Sequence, residues 1–236
     1  MPSKLVNFIP PKKLLWSDFP GNPTHQELDE LRRIAAATPG MTVGMAGIHS
    51  SFTVDFGAGP NPTLTAVPGK SPVVFALVDT VTITVNMNTV NSWRRTEPLS
   101  AAEEGLLLDH EQGHYDLTAL MARDCFIALM QLKARTFPDQ QAGQAEASKI
   151  VSDFQRKLGA MQTLYDKETR HGAWVTPSHG ARMLGPRKER DQNQWEGFIT
   201  TAQTVERQPA MSAPDGTSYK QAILEVLDDK GNFVFK

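Results

Sequence analysis

Cysteine is almost absent from this chain. Among 236 residues only Cys125 occurs, so no intrachain disulfide can form and a zinc site built from several cysteines is excluded. Cys125 is expected inside a helix as a small apolar residue. An excess of one charge is missing too. Lys and Arg number 24 against 26 Asp and Glu, and no basic block is long enough to follow a phosphate backbone. The nearest, Arg187-Lys188-Glu189-Arg190, is broken by a glutamate and reads as a solvated loop, so nucleic acid is not an expected partner. No apolar run reaches the length of a membrane span, and the N-terminus shows no apolar segment with a cleavage site. A soluble chain without a Sec signal is expected, either cytoplasmic or exported by another route. Histidine is also scarce, with six.

Two of those six stand in His110-Glu111-Gln112-Gly113-His114, an H-E-x-x-H motif inside a stretch that reads as a long helix. Residues four apart share one helical face, so both imidazoles can reach one metal ion, and the adjacent glutamate is placed as a general base. The context is helical. Ser100 and Glu103 form a capping box, and no proline interrupts the pattern between Pro98 and Pro138. Leu107, His110, His114, Leu117 and Met121 recur at helical spacing, which turns the motif inward. Gly113 costs a helix on the order of 1 kcal/mol relative to alanine, which implies close packing or room for a ligand at that point. Burying two histidines beside a carboxylate is costly without a metal or partners. The pattern is that of a zinc metallopeptidase.

The rest of the chain implies an α+β fold, with an antiparallel or mixed sheet packed on the motif helix and on a second long helix. Residues 1–21 read as an extended arm or edge strand anchored by Leu14, Leu15, Trp16 and Phe19. Residues 24–37 look helical, with Leu28, Leu31, Ile34 and Ala35 on one face. Strands are expected at 51–56, 73–77 and 81–88, the last alternating Val81, Ile83, Val85 and Met87 with Thr82, Thr84, Asn86 and Asn88. The motif helix is expected over about 101–135 and the second helix over about 144–170. The turn-rich remainder closes with an expected hairpin over 222–235. The implied division is a catalytic domain over 1–172 and a C-terminal extension over 173–236.

A catalytic zinc ion usually takes three protein ligands and keeps one position open. Positions three and six beyond His114 hold Leu117 and Leu120, so the third ligand must come from further along. If the second helix continues, Met161, Leu164, Glu168 and His171 fall on its buried face, with Gly172 as a cap. Asp166 is then rotated roughly 140° from His171. That favours His171, with Asp166 or Glu168 as alternatives should the helix end early. His179 is a weaker candidate, and His25 and His49 are expected at the surface.

Four blocks carry a resemblance: Leu15-Trp16-Ser17-Asp18-Phe19, Ser92-Trp93, the stretch from Leu107 to Asp116, and Tyr165-Asp166 followed by Thr169, His171 and Gly172. Together they resemble a bacterial domain family of unknown function, described as predicted secreted zinc-dependent proteases of the H-E-x-x-H superfamily. The likeness runs from about Leu14 to Gly172 and leaves the tail without a counterpart. It implies a zincin-like fold, a zinc ion, His171 as a ligand and secretion.

The expected activity is therefore hydrolysis of a peptide or protein substrate at a zinc ion held by His110, His114 and His171. Glu111 is the expected base, and Tyr165 the expected donor to the oxyanion. Asp109, Asp116 and Asp166 could orient ligand histidines. The alternative is a latent or inactive zincin-like protein that works by binding, its tail engaging a partner or lying in the cleft.

Overall fold

A computed structural model describes residues 4–6, 12–37, 41–42, 46–57, 59, 61–94, 100–169, 174–175, 192, 195–200 and 202–203. His171, His179 and the expected hairpin over 222–235 lie outside the described residues. The chain is α+β. Its helices are α1 (His25–Ala37), α2 (Ala101–Lys133) and α3 (Gln140–Thr169), with a further helical stretch at 195–200. Its strands are short: β1 (Lys4–Val6), β2 (Met41–Thr42), β3 (Ala46–Gly47), β4 (Ser50–Asp55), β5 (Leu64–Ala66), β6 (Phe75–Leu77), β7 (Thr82–Met87), β8 (Trp93–Arg94) and β9 (Trp174–Val175). Helix α2 starts directly after Ser100, at the expected cap. Helix α3 starts one turn before its expected beginning, because Asp139 Oδ1 accepts the Ala142 amide at 2.7 Å and satisfies an orphan donor there. None of the helices among the described residues is long and apolar enough to cross a membrane.

Contacts divide the chain into two units, each drawing on separate stretches of sequence. The first comprises Met1–Lys12, Ser51–Asn86 and Thr118–Gly159. Its main sheet has the order β1-β7-β4, with β1 an edge strand parallel to β7. The period-two pattern turns Ile83 and Val85 into the core, where Phe52, Leu120, Met121 and Leu129 are also buried. Strands β5 and β6 pair antiparallel. Gly143 lets α3 approach them closely, since a Cβ there would run into Leu64 Cδ2 and lie 3.0 Å from Phe137 Cδ2. This unit buries an ion pair made by neighbours in sequence. Arg123 Nε donates to Asp124 Oδ1 at 2.7 Å, and the two side chains are 3% and 4% exposed. Burial pushes the Asp124 carboxyl upward, opposed by the Arg123 charge and hydrogen bond and by Lys157.

The second unit comprises Lys13–Ser50, Met87–Leu117 and Ala160–Lys236. Leu14, Phe19, Trp93, Leu107, Leu117, Met161 and Tyr165 form its core. Strand β3 pairs antiparallel with β8 over two residues, Ala46 with Arg94 and Gly47 with Trp93. Strand β2 pairs with β9, Thr42 opposite Trp174. Helix α1 opens on a capping box: the Thr24 amide donates to Glu27 Oε2 at 2.6 Å and the Glu27 amide to Thr24 Oγ1 at 3.2 Å. The other Glu27 oxygen accepts from Trp93 Nε1 at 2.8 Å and lies 3.0 Å from His49 Nε2. Burial alone would raise this carboxyl; the bonds from Thr24, Trp93 and His49 instead hold it down at about 2. His25 and His49 are exposed, as expected.

Candidate metal centre

The site is built on α2 and α3 within the second unit. One turn of α2 carries His110, Glu111 and His114, all buried. The facing two turns of α3 carry Gln162, Tyr165, Asp166 and Thr169. What allows the approach is Gly113. A Cβ at that position would run into the Tyr165 hydroxyl and sit 2.7 Å from Tyr165 Cζ. The glycine inside the motif thus serves close packing, one of the two roles its helical cost implied.

The Nε2 atoms of the two imidazoles are 3.2 Å apart. Asp166 Oδ1 lies 3.0 Å from Nε2 of His114 and 3.4 Å from Nε2 of His110. These three residues form a cluster able to hold a metal ion. Each ring is held from behind at its other nitrogen. Thr169 Oγ1 donates to the Tyr165 carbonyl at 2.6 Å, so it meets His110 Nδ1, 3.3 Å away, as an acceptor. Gln162 Nε2 donates to the His114 carbonyl at 2.9 Å, which turns its Oε1 toward His114 Nδ1. Both Nδ1 atoms therefore carry a proton, and each Nε2 is the atom that turns inward toward Asp166.

The electrostatics invite a cation. Burial would lower the His114 pKa, yet the Asp166 charge and hydrogen bond, with the Glu111 charge and Gln162, raise it to about 9. Glu111 is 2% exposed, and its Oε2 accepts the Ile48 amide at 2.8 Å, directly after β3. Asp166, 27% exposed at its side chain, is the most open member of the cluster.

Tyr165 is wholly buried. Its ring stacks on His110, with centroids 4.8 Å apart and planes 9° apart, and meets His114 edge-on at 4.8 Å. Its hydroxyl donates to the His110 carbonyl at 3.2 Å and accepts from Gln192 Nε2 at 3.0 Å. Glu168 faces a different partner, accepting Trp195 Nε1 at 2.9 Å. Asp116 accepts from Gln112 Nε2 at 2.8 Å and from Gln203; burial raises its carboxyl and those two bonds lower it. The Gln112 side chain in turn accepts the Leu14 amide at 2.8 Å, fixing the chain before the Trp16–Asp18 turn.

The sequence reading named Thr169 as part of the resemblance without a role, and missed Gln162, Gln192 and Trp195. A helical signal was present for the last of these, since Trp195, Ile199 and Ala202 repeat at helical spacing and are all buried. The chain belongs to a family described as bacterial protein of unknown function (DUF922), whose model matches residues 25–172. No curated protein matches it, and no solved structure does. Gln192, Trp195 and Gln203 lie beyond the matched span.

Proposed function

We propose that this member of the family is a zinc-dependent peptidase in which His110, His114 and a third donor hold the ion and Glu111 is the general base. The observation that carries the reading is the convergence of three lone-pair donors. Their separations of 3.0, 3.2 and 3.4 Å suit a tetrahedral ion, whose bonds of about 2.0–2.1 Å set ligands about 3.3 Å apart. Asp166 is the third donor among the described residues. His171, two positions past α3, is the other candidate.

When bound, zinc supplies a Lewis acid and activates water near neutral pH. The chain supplies the rest. Glu111, fixed by the Ile48 amide, takes the proton of the attacking water and returns it to the leaving amine. Among the described strands β3 pairs only with β8, which leaves its other edge for an extended peptide. The sequence offers Tyr165 as the oxyanion donor. With its hydroxyl between the His110 carbonyl and Gln192, we assign it to holding the imidazoles. A second reading, a latent or inactive relative that works by binding, draws support from Gln192, Trp195 and Gln203 packing at the site.

Metal analysis by mass spectrometry tests the reading on wild type, His114→Ala, Asp166→Ala and His171→Ala, all purified without chelator. One zinc per chain is expected in wild type, lost with His114→Ala and with whichever substitution removes the third donor. A peptide-library screen then compares wild type with Glu111→Gln. No zinc in wild type, even after zinc is added back, sinks the proposal. Zinc without hydrolysis of any peptide shifts the balance to the second reading.

A further inference from the structure

The metal-centre residues are held by a stretch of chain that the family model does not reach. Gln192 Nε2 donates to the Tyr165 hydroxyl at 3.0 Å and to Glu196 Oε1 at 3.1 Å. The Trp195 ring meets Tyr165 edge-on, with centroids 5.3 Å apart, while its Nε1 ties to Glu168 at 2.9 Å. Trp195, Ile199 and Ala202 are 3%, 5% and 1% exposed, so this helical stretch is packed along its length. Tyr165 in turn touches both imidazoles.

We propose that residues 192, 195–200 and 202–203 form an internal buttress of the metal centre, in which Gln192 and Trp195 are positioning residues acting through Tyr165 on the planes of His110 and His114. The inference rests on the metal-site reading above. Without the buttress, the Tyr165 ring gains room to rotate against the imidazoles, and the two Nε2 atoms no longer converge on one point. Partners that orient ligand histidines typically carry a 10–100-fold share of metal affinity.

The experiment uses the full chain. Zinc affinity is measured by chelator competition and site geometry by the visible absorption of the cobalt(II)-substituted protein. The variants are Gln192→Leu, Trp195→Phe, Tyr165→Phe and Gln192→Leu combined with Tyr165→Phe. The expected result is an affinity about ten-fold weaker for Gln192→Leu, with altered cobalt bands. In the Tyr165→Phe background the same change should add little, because both act through one ring. Trp195→Phe keeps the aromatic packing and should show the smaller loss; it also serves if Gln192→Leu fails to fold. Wild-type affinity and cobalt spectra in both Gln192→Leu and Trp195→Phe, with only a lowered Tm, would overturn the buttress while leaving the metal site standing. Absence of metal binding by wild type would overturn both.

Discussion

At Arg123 and Asp124, in the first unit, opposite charges stand side by side on α2 and meet at 2.7 Å, so the buried pair satisfies much of its own electrostatics. At His110 and His114, nine residues or more earlier on the same helix, the buried imidazoles instead turn their Nε2 atoms toward one another and toward Asp166. The first pair is made between neighbours in sequence. The second draws Gln162, Thr169, Tyr165 and Ile48 from elsewhere to orient its groups. Burial alone therefore does not mark a site. Convergence of donors with each outer nitrogen already held is what makes the second cluster a candidate.

The largest expected effect is on catalysis. Glu111→Gln should retain zinc while losing about 10²–10⁴-fold in peptide hydrolysis, read from initial rates on any substrate wild type cleaves. Asp124→Ala should do the opposite. It removes the carboxylate bonded to a buried guanidinium and should cost about 3–5 kcal/mol of stability in denaturant titration, with zinc content unchanged. Loss of zinc there would erase the contrast between the two stretches. Gly113→Ala should cost about 1–3 kcal/mol, because Tyr165 must give way, and zinc binding should weaken with it.

Next in size is a pH effect. In the metal-free chain His114 is raised to about 9 from about 6.5. Its ion pair therefore adds stability fully below pH 6.5, lost as pH climbs through 9. A zinc ligand must be neutral, so protons compete with the ion. Calorimetry should find the metal-free Tm falling from pH 6.5 to 9 while the gain on adding zinc grows. A flat profile for both forms would remove His114 from the cluster. The smallest effect belongs to Glu27→Gln, which weakens the α1 cap by roughly 1 kcal/mol. Because the Glu27 carboxyl is held at about 2, its contribution is present above about 4.5 and fades as pH falls toward 2. The deficit of the variant, read as ΔTm against wild type, should therefore shrink in acid.

The motif helix, its start and the alternating strand β7 were legible because each follows from spacing along one segment. The two motif histidines and Glu111 were legible for the same reason. Asp166 was demoted by its angle from His171 on an ideal helix. Which face of α3 meets α2, however, is set by the seating of Tyr165 on Gly113, a contact between positions 52 residues apart. Glu27 offered a readable Thr24-x-x-Glu27 box, yet its ties to His49 and Trp93 are long-range. The outer partners Gln162 and Thr169 are ordinary helix residues until two helices dock.

The Gly113–Tyr165 seat also sets an order of events. His110 and His114 can come together as soon as one turn of α2 forms, but Asp166 arrives only when α3 lies against the missing methyl of Gly113. The three-donor cluster is absent from a chain whose helices have formed separately. Uptake of a metal during refolding would then report the moment of docking, a clock written into the molecule by a single hydrogen side chain.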